Sequence, residues 1–230
     1  METERRIGVV FDCDGTLMDS MEVWHGIDAM LAEKSQVEFT NADQDYFTGA
    51  TLEECSEYAH NKLGIGSSPQ DVWDMIHERM RLYYAKEAVL KPGVREFIEG
   101  LYTRGVPMSV ASSTSADLLA EGMRHTGLDK YMCAVLSTDD VGMPKRFPHI
   151  YDAARDAMGT RTADTWGVED ALYAVRTLNG AGYNTLAIYD SDIAGTVADL
   201  QGEADIMVMT FEGYTADDFL EMAIRHSAGR

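Results

Sequence analysis

A chain of 230 residues, 45% hydrophobic and 25% charged, is long enough to bury a full core and has the composition of a globular protein. Its 39 acidic residues against 19 basic ones give a net charge of −20, which argues against nucleic acid and anionic membrane surfaces as partners, since both need clustered Lys and Arg. Cys13, Cys55 and Cys133 are widely spaced with no CxxC, so neither a disulfide framework nor a zinc site is indicated; with no signal-peptide core and no bilayer-length apolar run, a cytoplasmic location is expected.

The first apolar run, Ile7 to Phe11, has the uncharged, β-branched texture of a strand buried on both faces. It ends in Asp12 and Asp14, spaced i, i+2, and a Gly-Thr turn. Residues at i and i+2 share a side of an extended chain, so both carboxylates are predicted at the rim of a sheet, with Cys13 pointing away. Two ionised carboxylates side by side repel, and a cation with a preference for oxygen ligands, Mg²⁺, would relieve them. Asp-x-Asp-Gly is also ordinary turn chemistry, and alone the motif leaves both readings open.

From about Asp19 to Ala88 the pattern is almost entirely helical. Val72, Met75, Ile76, Met80 and Tyr83 form one helical face, and Ser68-Pro69 is a helix start. Lys91-Pro92-Gly93 breaks the pattern. Beyond it, Val94, Phe97, Ile98 and Leu101 form a helical stripe stopped by Gly105, and strands are predicted over 107–112, 134–137, 165–169, 185–189 and 206–209. Helices separating strands imply right-handed βαβ units and a parallel sheet. The predicted architecture is a doubly wound, Rossmann-like α/β domain (1–18 and 89–230) with a helical cap domain (19–88) inserted after the first strand and placed to act as a lid.

Three further features fall at strand ends. Ser112, Ser113 and Thr114 form a hydroxyl cluster before a helix, suited to an anion or to helix capping. Lys145 lies in a loop ahead of a helix near Pro148; most loop lysines are simply solvated. Glu169-Asp170 closes a strand and opens a helix, where adjacent acids also serve as dipole partners.

Taken together and in this order, FDCDGTL (Phe11–Leu17), ASS around Ser112, KRFPHIY from Lys145 and GVEDA around Asp170 resemble the four motifs of the haloacid dehalogenase-like hydrolase superfamily, in its branch with an α-helical cap. The resemblance runs from about Ile7 to Met209. It implies that Asp12 is a nucleophile forming an aspartyl-phosphate and that Asp14 is the general acid and base. It further implies Mg²⁺ held by Asp12, the Asp14 carbonyl and Asp170, with Glu169 direct or through water. Ser112 would hydrogen-bond the phosphoryl group, and Lys145 would neutralise charge.

The third motif departs from the family's Gly-Lys-Pro-x-Pro-Asp. Alignment on Pro148, Ile150 and Tyr151 gives Lys145 the lysine's place, whereas alignment on Gly142 would give it to Met143; charge balance selects Lys145, with Arg146 as the substitute. His149 replaces an acid, and Ala171 stands where a serine is common. Asp14 argues against a dehalogenase, and no Schiff-base lysine of a phosphonate hydrolase is matched. Asp19-Ser20-Met21-Glu22-Val23-Trp24 resembles the DSxxxW of small-molecule phosphatases, whereas the position of the mutases' cap histidine falls on Trp24, one residue before His25. The expectation is a phosphatase acting on a small phosphate monoester, a sugar phosphate or similar metabolite, with Ser113, Thr48, Gly49, Trp24 and His25 as substrate-binding candidates. The alternatives are a β-phosphoglucomutase-like phosphotransferase and a non-catalytic phospholigand-binding member of the same fold.

Overall fold

A computed structural model describes residues 6–190 and 196–228, with the side chains of residues 48, 49 and 228 excepted. Among these residues six strands form one parallel sheet in the order β3-β2-β1-β4-β5-β6: β1 (Gly8–Phe11), β2 (Met108–Ser112), β3 (Ala134–Ser137), β4 (Thr165–Glu169), β5 (Asn184–Ile188) and β6 (Ile206–Val208). The order reverses beside β1, which makes the crevice between β1 and β4 the place where such sheets bind ligands. Phe11 lies level with Val110 on one side and Val168 on the other. Asp12, Ser112 and Glu169 therefore leave three neighbouring strands at one rim.

The four inner strands β1, β2, β4 and β5 are buried along their whole length because both faces are covered. Phe11 packs edge-on against Phe97 of α5 (Val94–Thr103), their ring centroids 6.3 Å apart. Val10, one residue earlier, faces the opposite layer, where Ile150 and Ala154 of α8 (His149–Met158) and Leu178 of α9 (Leu172–Ala181) are buried. The departures from the predicted strands are each one residue: β1 begins at Gly8 rather than Ile7, and β5 ends at Ile188 rather than Tyr189. Pro107 uses only its carbonyl, accepting from Val9 N–H, so β2 begins at Met108. Asn184 pairs with Trp166, starting β5 early, and β6 ends at Val208.

Between β1 and α5 the chain folds into α1 (Met21–Lys34), α2 (Asn41–Gly49), α3 (Leu52–Asn61) and α4 (Pro69–Leu82), followed by a π-helical turn, Tyr83–Glu87. Ser68 caps α4 through the Asp71 N–H, and Val72, Ile76 and Met80 are its buried stripe; Met75 sits on the stripe's margin, half-buried. The chain leaves and returns at adjacent points, with Asp19 N–H donating to Val89 O and Lys91 N–H to Leu17 O. No helix among the described residues is long and apolar enough to cross a membrane.

Candidate active site

β1 ends with Asp12 N–H bonded to Val168 O at 2.9 Å, which anchors the first carboxylate to the sheet. Cys13 turns the other way into the apolar core and is fully buried. Gly15 follows at φ +81°, a left-handed conformation that glycine adopts without penalty. Any Cβ there would also collide with the Asp170 carboxylate, so this position needs glycine for its fold and for its space.

Lys145, from the loop before α8, is 3% exposed and reaches two carboxylates. It donates to Asp12 Oδ1 and, at 2.8 Å, to Glu169 Oε1, which also accepts from Tyr151 Oη at 2.7 Å. Of the two alignments, the structure thus places Lys145 at the acidic cluster. Burial works against its charge, but Asp12 and Glu169 outweigh burial and hold the ammonium above the usual lysine range. Asp12, Glu169 and Asp170 each offer an oxygen within 4.8 Å of the others'. Burial pushes Asp12 up, Lys145 pulls it back, and Asp14 adds to the upward push. Burial raises Glu169 to about 7 against the pull of Lys145. Burial, then Asp12 and Glu169, push Asp170 well above the carboxylate range.

One cation among three buried carboxylates leaves the cluster short of positive charge. Asp12 Oδ2 is buried with no hydrogen-bond partner, an arrangement that costs about 1–3 kcal/mol or more for a charged group. A deficit of positive charge, an unsatisfied oxygen and an all-oxygen donor set fit a hard divalent cation.

Asp14 has a different environment. Ser20 Oγ and Tyr84 Oη each donate to its Oδ1 at 2.6 Å, and Thr114 Oγ1 donates to its Oδ2 at 2.6 Å. Ser112 Oγ is farther, at 3.5 Å, and accepts from Thr114 N–H at 3.0 Å. Tyr84 and Thr114 are themselves 3.2 Å apart. Hydroxyls donate and accept, so the same three groups can satisfy Asp14 whether it carries a proton or not. Ser20 and Thr114 lie inside motifs quoted from the sequence without a role at Asp14. Tyr84 has no sequence signal. It reaches Asp14 because the chain widens into the π-helical turn after α4 and because Gly122 of α6 (Ala116–Thr126) leaves room: a Cβ there would lie 2.8 Å from the Tyr84 ring.

Above these groups lies an open cleft walled by the rim and by the helices α1 to α4. Trp24 and His25 of α1, Ser113 and Ala171 line it. The side chains of Thr48 and Gly49, at the end of α2, lie outside the described residues. Arg146 points from the site toward Glu54 of α3, at 2.7 Å.

The sequence model of the family described as haloacid dehalogenase-like hydrolase matches residues 9–188. A phosphorylated carbohydrates phosphatase of Thermotoga maritima is 25% identical over 174 residues, which is 76% of this chain and 81% of that protein. A β-phosphoglucomutase from Clostridium difficile has the same fold, with a TM-score of 0.76 at 15% identity over 97% of this chain and 99% of its own. CbbY from Rhodobacter sphaeroides, solved with xylulose-(1,5)bisphosphate, gives 0.73 at 21% identity over 89% and 94%.

Proposed function

We propose that this chain, which belongs to the haloacid dehalogenase-like hydrolases, is a Mg²⁺-dependent phosphatase of small phosphate monoesters that works through an aspartyl-phosphate on Asp12. The carrying observation is the pairing of two unlike carboxylates at the end of one strand. Asp12 is charge-paired to Lys145 with one oxygen unsatisfied, and Asp14 sits among three hydroxyls. This difference supports reading Asp12 as the nucleophile and Asp14 as the acid and base. The Thermotoga relative, named for phosphorylated carbohydrates, supports the reaction class.

In the first step an Asp12 oxygen bonds to phosphorus as the ester oxygen leaves, and that oxygen takes the proton of Asp14. In the second, a water oxygen bonds to phosphorus, its proton goes to Asp14, and the Asp12–phosphorus bond breaks. Dividing the reaction in this way matters because unaided monoester hydrolysis is among the slowest known, with enhancements on the order of 10²¹. Lys145 neutralises Asp12 and the incoming phosphoryl oxygens, and the Ser112 hydroxyl donates to one of them. Mg²⁺ would be held by Asp12, the Asp14 main-chain carbonyl and Asp170, with Glu169 direct or through water. When bound it supplies positive charge to the phosphoryl group. The helices of residues 19–88 act as a cap over residues 1–18 and 89–230, excluding bulk water, in a soluble cytoplasmic enzyme.

Phosphate release from a panel of monoesters tests this reading. Release should require Mg²⁺ and disappear in Asp12→Asn. Turnover that survives Asp12→Asn overturns the covalent route, and conversion of β-glucose 1-phosphate to glucose 6-phosphate without phosphate release would make the chain a mutase.

A further inference from the structure

The cleft has two chemically opposed halves. Its floor is the charged cluster just described. Its roof presents Trp24 of α1 and Phe47 of α2 beside the polar His25, backed by Ile27 and Leu31 of α1, Leu52 of α3 and Met80 of α4, which are themselves buried. Lys145 is the one lysine or arginine among the described lining residues, and it is engaged by Asp12 and Glu169. The polar groups set into the roof include Asp28 and Gln44, with Gln44 Nε2 3.4 Å from Asp28 Oδ2.

This roof is a poor match for a sugar or a second phosphate. A sugar carries a hydroxyl on nearly every carbon, His25, Asp28 and Gln44 can meet only some of them, and each one desolvated against Trp24 or Phe47 without a partner costs about 1–3 kcal/mol. A second phosphate would meet the Asp28 carboxylate in a chain already at −20, with no second Lys or Arg among the described lining residues to receive it. An apolar ring gains about 25 cal/mol for each Å² it buries against Trp24 and Phe47, and carries no hydroxyls of its own to leave unpaired.

We infer that the leaving group is an apolar, ring-bearing alcohol with no anionic group beyond the phosphate being removed. This rests on the phosphatase reading of Asp12 and Asp14, and narrows its substrate. The floor reads the phosphate and the roof reads the ring.

The test compares 2-(1-naphthyl)ethyl phosphate with glucose 6-phosphate and fructose 1,6-bisphosphate, with Mg²⁺ present. All are esters of primary alcohols, so leaving-group reactivity is held nearly level. The naphthyl ester should show a kcat/KM at least about tenfold higher, carried mostly by KM, as expected of discrimination by an apolar pocket. Trp24→Ala and, independently, Phe47→Ala should each narrow that ratio. Equal or faster turnover of glucose 6-phosphate overturns the inference and leaves the phosphatase standing. Should no ester release phosphate, calorimetric binding to Asp12→Asn separates the two ideas. Preference for the naphthyl ester keeps the ligand class and overturns the phosphatase, whereas equal or weaker binding than glucose 6-phosphate overturns both.

Discussion

On the proposed mechanism Asp14 carries a proton when the ester oxygen leaves and lacks one when water attacks, so what surrounds it must serve both states. Three hydroxyls at 2.6 Å do this where amide donors could not, because each can turn from donor to acceptor. Tyr84 is fully buried, and burial holds its phenol well above the usual tyrosine range, so it stays a neutral hydroxyl throughout. Its role is positioning. Tyr84→Phe removes one hydrogen bond to a charged group, worth about 1.5 kcal/mol, and kcat should fall about tenfold while KM holds. A KM change without a kcat change would show that Tyr84 shapes the cleft instead. Lys145 is a different case: Lys145→Met leaves buried carboxylates without their cation, and should cost about 3–5 kcal/mol in thermal or urea unfolding, besides activity.

At the scale of elements, what could be read from the sequence was whatever a strand or helix does locally. The four inner strands announce themselves as apolar runs because they are buried along their whole length, the edge strands β3 and β6 are half-buried, and Lys91-Pro92-Gly93 marks where the helical segment ends. Asp12, Lys145 and Glu169 are legible because each sits at a strand end or in a loop within a motif. Tyr84 is not, because a π-helical turn shifts the face of a helix without altering its composition. Contacts across the cleft are hidden for another reason: they join residues far apart in the chain. Arg146 pairs with Glu54 across 92 positions, and His77 pairs with Asp117 of α6 across 40, at 2.7 Å. The Arg146 hydrogen bond holds Glu54 below the usual glutamate range. Both partners are partly solvated, so a double-mutant cycle of Glu54→Gln and Arg146→Ala should give only about 0.5 kcal/mol of coupling. A lowered carboxylate pKa means that this coupling is complete above the unfolded value near pH 4.3 and is lost as pH falls through the folded one. Repeating the cycle at successively lower pH should find it shrinking once pH falls below the unfolded value; coupling that does not change as Glu54 takes up its proton would mean that the two side chains interact through packing.

For the whole molecule, charge is the largest unbalanced quantity. A net −20 spread over the surface resists compaction, and ordinary salt relieves it because exposed charges are screened within about 8 Å at physiological ionic strength. The deficit at Asp12, Glu169 and Asp170 is of another kind, since these groups are buried and monovalent ions outside screen them far less. The two effects can therefore be separated by melting. A ligand at a hundred times its dissociation constant adds about 2.7 kcal/mol, and in a chain of this size each kcal/mol moves Tm by about 2–4 °C. Saturating Mg²⁺ should thus raise the Tm of the wild type by about 5–10 °C over sodium chloride of equal ionic strength. In Asp170→Asn, which keeps the surface charge but removes one carboxylate ligand, magnesium and sodium should act nearly alike. An equal magnesium gain in both proteins would place the cation on the acidic surface, away from the cluster, and would remove the ground for metal-assisted chemistry at Asp12.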